Sequence, residues 1–158
     1  MNKALLKVRR FRDGATLPTR GSDLSSGFDL YAWTPEGESV IIPPNEMHPI
    51  KTGINTRFPA NYELQIRPRS GLAFKHQITV QNTPGTVDAD YDGDGEKFEI
   101  VVLLRNEGKQ PFVVNRGDRI AQMVLNQLPE VELVEDFDDN LNRNQSNRSG
   151  GFGSTGTN

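Results

Sequence analysis

The densest group of chemically active side chains lies in the stretch 85–99, where aspartates and glycines alternate. The acids Asp88, Asp90 and Asp92, followed by a glycine and later by Glu99, fit the spacing of a helix-flanked calcium loop. Such a loop lies between two helices, but a proline precedes this stretch and a β-branched, aliphatic run follows it. Strands are therefore the expected flanking elements, and a calcium site is the less favoured interpretation.

A second group of polar residues, at 68–73, has the sequence PRSGLA. Arg69 supplies a planar fork of donors, and Ser70 supplies a hydroxyl group. A short helix is predicted at 70–75, with Ser70 as its N-cap, and its first amides would add further donors. Together these donors suit an anion such as phosphate.

The composition changes in the segment 138–158, which consists mostly of Asn, Ser, Thr and Gly. Only Leu141 and Phe152 could bury much apolar surface, so the segment is expected to be a flexible arm that follows a domain at 1–137. Its part at 149–156 combines glycine amides, hydroxyls and one aromatic ring. These groups can wrap a phosphate and stack on a base.

Short apolar runs separated by turn signals must position these groups. The sequence has 15 glycines and 10 prolines, which favours many short elements over long helices. The predicted strands lie at 5–8, 40–42, 62–67, 98–104, 112–114 and 120–125. Short strands at this spacing, with one short helix, predict an all-β sandwich or barrel.

Composition also excludes several classes of function. The chain has no cysteine, which rules out disulfides, cysteine–zinc sites and a thiol nucleophile. Its net charge of −3 disfavours duplex DNA as a partner. The longest apolar run, 100–104, is far shorter than the roughly 20 residues of a membrane span. A single domain with a cytoplasmic location, no nucleic acid and no membrane contact is expected.

Five segments, in chain order, resemble the five motifs of the trimeric dUTPases, which hydrolyse dUTP to dUMP and pyrophosphate. They are SGFDLYA at 26–32, PRSGLA at 68–73, GTVDADY at 85–91, GDRIAQM at 117–123 and GGFGSTG at 150–156. The resemblance implies a distorted jelly-roll or β-clip-like barrel with one short helix and a flexible C-terminal arm. It also implies a homotrimer whose active sites are shared between subunits.

The resemblance further implies roles for individual residues. Asp88 matches the aspartate that activates the water attacking the α-phosphorus, and Tyr91 matches the aromatic residue under the deoxyribose. Asp29 matches a residue that holds a water of the Mg²⁺ shell, the ion itself being bound mainly by the substrate phosphates.

The remaining implied residues bind substrate. The phosphate ligands are Arg69, Ser70, Gly71 and Gln122; the uracil hairpin includes Asn82 and Gly85; and the arm contributes Arg148, Phe152, Gly153, Ser154 and Thr155. The arm departs from the family pattern in one place. Its arginine usually stands five residues before the stacking phenylalanine, where this chain has Asn147, and Arg148 stands one step closer.

The implied function is magnesium-assisted hydrolysis of dUTP, which limits uracil incorporation into DNA and supplies dUMP for dTMP synthesis. A dCTP deaminase, which shares the fold, is the rival enzyme. A calcium-binding or regulatory protein on the same scaffold is the rival of another class. The acids at 92–96 have no role in the family pattern.

Overall fold

The structure, a computed structural model, describes residues 3–136. The predicted arm at 138–158 and the domain boundary before it lie outside the described residues. Within the described range the strands are β1 Lys7–Arg10, β2 Phe28–Tyr31, β3 Ser39–Ile42, β4 Met47–Lys51, β5 Ile54–Arg57, β6 Tyr62–Arg67, β7 Ile78–Val80, β8 Gly85–Val87, β9 Val101–Asn106, β10 Phe112–Asn115 and β11 Arg119–Gln127. The helix α1 spans Ser70–His76, and a 3-10 turn spans Glu96–Phe98.

The strands form four small antiparallel sheets. Two have a single pairing each, β1 with β5 and β3 with β10, while the others have the orders β2-β11-β6-β8 and β4-β9-β7. The prediction of an all-β fold with one short helix is confirmed. Residues 3–136 form no closed barrel, because these sheets remain separate in their hydrogen bonding.

The core forms where the inward faces of these sheets meet. On β6, Leu64 and Ile66 are buried while their neighbours are partly exposed, and Val102 and Leu104 do the same on β9. This alternation is what a half-buried strand requires, since successive side chains point to opposite faces. The sheet β2-β11-β6-β8 therefore has one face fixed by the core, which makes its strand ends a rigid base for a site.

Three local predictions need correction. The strand expected at 5–8 lies two residues later, at Lys7–Arg10. The strand expected at 98–104 begins only at Val101, because Gly95 has a φ of +80° and starts the 3-10 turn before it. The helix expected at 70–75 is confirmed with one more residue, but Ser70 is not its cap. Arg69 is the N-cap, with an extended backbone (φ −94°, ψ 130°) and no side-chain capping bond. The Ser70 hydroxyl is thus not used as a cap.

None of the helices within residues 3–136 has the length and apolar character needed to cross a membrane.

Candidate active site

The sheet register brings one group of predicted residues together. Gln122 on β11 pairs with Asp29 on β2 and with Arg67 on β6. Arg69 lies two residues after Arg67, so the turn that leads into α1 lies beside Asp29. The result is a cleft of about 230 Å³, called the arginine cleft here. It is lined by Gly21, Ser25, Gly27, Asp29, Arg69, Ser70, Gly71, Arg119 and Gln122.

The arginine cleft carries more positive than negative charge. Arg69 donates from Nε to Oδ1 of Asp29 at 2.8 Å, and NH1 of Arg119 lies 3.6 Å from the other carboxylate oxygen. The Asp29 side chain is only 15% exposed, so both arginines face a largely buried acid. Two guanidinium groups against one carboxylate leave a net cationic surface, which suits a polyanion. Arg119 lies in the fourth motif but was given no role from the sequence.

Gln122 fixes the wall of the arginine cleft. Its Nε2 donates to the carbonyl oxygen of Pro68 at 2.9 Å, which holds the segment between β6 and α1. A Cβ added at Gly27 would lie 2.7 Å from Oε1 of Gln122. A side chain at this glycine of the first motif would therefore have to displace the Gln122 amide from the wall of the cleft.

The predicted base, Asp88, lies in a different cleft. This cleft of about 270 Å³, called the tyrosine cleft here, is lined by Thr86, Val87, Asp88, Asp90, Tyr91, Glu99, Ile100 and Val101. Asp88 directly follows β8 and is exposed. The amide of Tyr91 donates to the backbone carbonyl oxygen of Asp88 at 3.1 Å, so a tight turn joins these two lining residues of the cleft.

Hydrogen bonds and an aromatic contact hold the ring of Tyr91 in place. Its hydroxyl donates to the carbonyl oxygens of Lys97 at 2.9 Å and Glu99 at 3.1 Å. Its edge packs on Phe98, with ring centroids 5.4 Å apart. Burial raises the pKa of the Tyr91 phenol, and the nearby Glu99 carboxylate raises this pKa further. The hydroxyl therefore stays protonated, and its single proton is shared between the two carbonyl oxygens.

The titration of Tyr91 gives a first prediction. Absorbance titration should show a phenol ionising above the ordinary tyrosine pKa of 10.0, and Tyr91→Phe should remove that phase. Since the folded-state pKa is raised, the associated stability is fully present below pH 10.0 and is lost as pH rises through the folded pKa. A lost phase that titrates at the ordinary tyrosine pKa of 10.0 would contradict the anchoring.

Asn82 lies in the turn before β8 and Gly85 is the first residue of β8, and the two are close together in the structure. A Cβ added at Gly85 would lie 3.4 Å from Nδ2 of Asn82, and Gly85 pairs across the sheet with Ile66. The amide group of Asn82 therefore lies next to the backbone of Gly85.

The two clefts do not meet on one chain. In the order β2-β11-β6-β8, three strand steps separate Asp29 from the strand before Asp88, about 14 Å at about 4.8 Å per step. Val87 pairs with Leu64, three residues from Arg67, which adds about 10 Å along the strands. The structure therefore brings Asp29, Arg69 and Gln122 together, and Asp88 and Tyr91 together, but not the two groups.

The acidic stretch is fastened to neighbouring strands. Asp94 pairs with Arg9 at 2.9 Å, and Arg57 donates to the carbonyl oxygen of Asp92 at 2.6 Å. Asn55 exchanges two hydrogen bonds with the backbone of Gly95, at 2.9 and 3.0 Å. The loop 92–96, whose acids had no role from the sequence, is thus attached to β1 and β5 through the Asp94 side chain and through the backbone of Asp92 and Gly95.

The helix-flanked calcium pattern does not describe this stretch. The strand β8 precedes it, and the 3-10 turn and β9 follow it. Its last acid, Glu99, is taken by Arg12, with Nε to Oε1 at 3.1 Å and NH2 to Oε2 at 2.9 Å. In the part of the chain that the structure describes, no three His, Cys, Asp or Glu side chains are grouped to hold a metal ion.

The five predicted residues of the arm lie outside the described residues. They are Arg148, Phe152, Gly153, Ser154 and Thr155. Their roles stay predictions.

An all-β domain with a cationic cleft, and with an exposed carboxylate beside an anchored tyrosine ring, has the groups of an enzyme that acts on a phosphorylated ligand. The sequence profile of the dUTPase family matches residues 13–156. The chain therefore belongs to the dUTPase family. The predictions of this family and of an enzyme are confirmed.

Relatives agree over nearly the whole chain. A deoxyuridine 5'-triphosphate nucleotidohydrolase of Maricaulis maris is 50% identical over 145 residues, which is 92% of this chain and 90% of the relative. One of Caldanaerobacter subterraneus is 46% identical over 156 residues, 96% of this chain and 97% of the relative. A dUTPase of Staphylococcus bacteriophage 80alpha, solved with dUpNHpp, has a TM-score of 0.73 at 23% identity, covering 96% of this chain and 98% of that one. This last likeness supports the fold.

Proposed function

We propose that the protein hydrolyses dUTP to dUMP and pyrophosphate, with Asp88 as the base that activates the attacking water. The observation that supports this most strongly is that the exposed Asp88 and the anchored Tyr91 line one cleft and are joined by a tight backbone turn. A carboxylate there can accept a proton from water while the ring orients the sugar next to it. Family membership and the names of the relatives support dUTP as the substrate.

The arginine cleft is proposed to hold the phosphates. Arg69 is fixed in orientation by Asp29 and by the carbonyl oxygen of Arg119, at 2.8 and 3.3 Å. A preorganised guanidinium loses little freedom when it binds an oxyanion. No atom lies within 4 Å of a Cβ built at Gly71, so phosphate oxygens can approach the backbone there. Ser70 and Gln122 supply further donors at the same cleft.

The hairpin is proposed to hold the nucleoside. Asn82 and the bare backbone at Gly85 would bind uracil, and Tyr91 would pack under the deoxyribose and leave no space for a 2′-hydroxyl. The arm residues Phe152, Gly153, Ser154 and Thr155, with Arg148, are proposed to close over the bound nucleotide.

A complete site requires more than one copy of the chain. An attacking water must approach the phosphorus to about 3–3.5 Å, whereas the two clefts of one chain are separated by several strand spacings. Asp88 of one subunit and Arg69 of another can meet on one triphosphate if the subunits place these clefts face to face. This requirement supports the proposed homotrimer with shared active sites.

Magnesium is proposed as the cofactor, and the residues present fit an ion held mainly by the substrate. Asp29 already bonds to Arg69 and lies near Arg119, so its carboxylate suits a water of the ion's shell better than direct coordination. When bound, Mg²⁺ would neutralise phosphate charge. The chain's own residues would orient the phosphates through Arg69 and move the water's proton to Asp88.

The biological consequence we propose is a lower ratio of dUTP to dTTP, hence less uracil in DNA, together with a supply of dUMP for dTMP synthesis. The cytoplasmic location stays a prediction.

The proposed function is tested with a panel of deoxynucleoside triphosphates and Mg²⁺, measuring pyrophosphate and ammonia separately. We expect pyrophosphate and dUMP from dUTP, with little turnover of dCTP and dTTP. Ammonia released from dCTP would instead identify a deaminase and overturn the proposal.

A further inference from the structure

The tyrosine cleft rests on a buried ion pair that joins distant parts of the chain. The Glu99 side chain is 1% exposed, and Arg12, at 17%, binds both of its oxygens, at 3.1 and 2.9 Å. The amide of Gly53 donates to the same carboxylate at 2.8 Å. A buried charge needs such partners, because an unpaired one is strongly unfavourable. The position of the Glu99 side chain is therefore fixed by residues that are far away in the sequence.

The same residue holds Tyr91 through its backbone. The carbonyl oxygen of Glu99 accepts the Tyr91 hydroxyl at 3.1 Å, and that of Lys97, two residues earlier, accepts it at 2.9 Å. The side chain of Glu99 fixes the backbone to which the hydroxyl binds. A continuous set of contacts thus runs from Arg12 through Glu99 to the ring of Tyr91.

Arg12 is itself held in place by two aromatic rings. Its guanidinium lies 4.7 Å from the ring centroid of Trp33 and 4.9 Å from that of Phe11. Its NH2 also donates to Oε1 of Glu96 at 2.8 Å. Stacking and bidentate pairing leave little freedom for the guanidinium, so the position of Glu99 is defined closely.

We propose that Arg12 and Glu99 are positioning residues that fix how closely the Tyr91 ring approaches the sugar, and thereby determine the discrimination between dUTP and UTP. This proposal rests on the proposed function, in which Tyr91 packs under the deoxyribose. A ring that can drop away from the sugar opens space for a 2′-hydroxyl, so loosening the pair should admit UTP. A buried ion pair is a weak source of stability compared with apolar residues of equal volume, whereas its geometry is specific.

The test compares kcat/KM for dUTP and for UTP in Glu99→Gln and Arg12→Lys. We expect the ratio between the two substrates to fall by about tenfold, as for contacting residues that couple strongly. The kcat/KM for UTP should rise or stay unchanged. The kcat/KM for dUTP should fall, and a higher KM should account for more of that fall than a lower kcat. The matched control is Asp94→Asn, which breaks the ion pair with Arg9 in the nearby loop 92–96. The Asp94 side chain is 50% exposed. Its ratio should equal that of the wild type.

A double-mutant cycle separates positioning from general damage. Tyr91→Phe removes the hydroxyl, so Glu99→Gln added to it should lower the discrimination ratio no further. Additive losses, or an unchanged ratio in both Glu99→Gln and Arg12→Lys, would overturn the proposal. The fluorescence of Trp33, the single tryptophan of the sequence, monitors folding beside Arg12. If Glu99→Gln does not fold, Arg12→Lys, which keeps the charge, decides the outcome alone.

A further variant distinguishes this proposal from the proposed function. Tyr91→Ala should lose most of the discrimination whatever holds the ring. If Tyr91→Ala discriminates like the wild type, the role of Tyr91 in the proposed function is wrong, and the positioning proposal is overturned with it. If Tyr91→Ala loses discrimination but the Glu99 and Arg12 variants do not, only the positioning proposal is overturned.

Discussion

Replacing Asp88 with asparagine should lower kcat for dUTP by about 10²–10⁴-fold, the usual contribution of a general base, while affinity for the nucleotide stays close to that of the wild type. The amide keeps the size of the carboxylate but cannot take a proton from water. Because Asp88 is exposed and follows the end of β8, its replacement should leave the fold intact. Single-turnover rates and the Kd of a non-hydrolysable dUTP analogue, both measured with Mg²⁺, separate the chemical step from binding.

The matched control for this experiment is Asp92→Asn. Asp92 is exposed and lies four residues after Asp88. Its backbone carbonyl oxygen accepts a hydrogen bond from Arg57, and the substitution keeps that bond. Its kcat should stay within a factor of about two of the wild type, since surface changes of this kind have small effects. Near wild-type kcat in Asp88→Asn would refute the assignment of the base, and an equal loss in Asp92→Asn would show that the hairpin responds to any change of charge.

Strands with a clear pattern were predictable from the sequence, and strands held by pairing alone were not. The alternation in 62–67 predicted β6 at its observed bounds, because Leu64 and Ile66 enter the core while their neighbours do not. The strand β4, Met47–Lys51, contains Pro49 and has mostly exposed residues. Its conformation follows from its pairing with β9, and no local sequence pattern predicts that pairing.

The same distinction applies to the site. Asp88 and Tyr91 lie close together in the sequence of the third motif, so the resemblance named both of them. The pairs that orient the site are separated by 40 residues for Arg69 with Asp29 and by 87 for Arg12 with Glu99. Such pairs depend on sheet register and on how separate sheets stack, so spacing along the chain carries no signal for them. The contacts of Arg12 and Arg119 were missed for this reason.

Deleting residues 143–158 should leave a folded domain that has lost about 100-fold or more of its dUTP hydrolysis, as expected when groups that position a substrate are removed. Among residues 3–136, the largest fully buried side chains lie between Leu30 and Met123. The deleted segment has almost no large apolar side chain to add to this core. The segment carries the fifth motif, whose Phe152, Ser154 and Thr155 are proposed to cover the nucleotide and exclude water. Thermal unfolding and steady-state kinetics of the truncated chain test both halves of this prediction.

A shorter deletion provides the control. Removing only residues 157–158 keeps the whole fifth motif, which ends at residue 156, and should leave kcat and KM unchanged. Full activity in the chain that ends at residue 142 would show that the arm has no part in catalysis. Unfolding of that chain would show instead that the core extends beyond the strands, and the division into a domain and an arm would then be wrong. Loss of activity with an unchanged Tm, seen only in the longer deletion, is the result that assigns the fifth motif to the chemistry rather than to the fold.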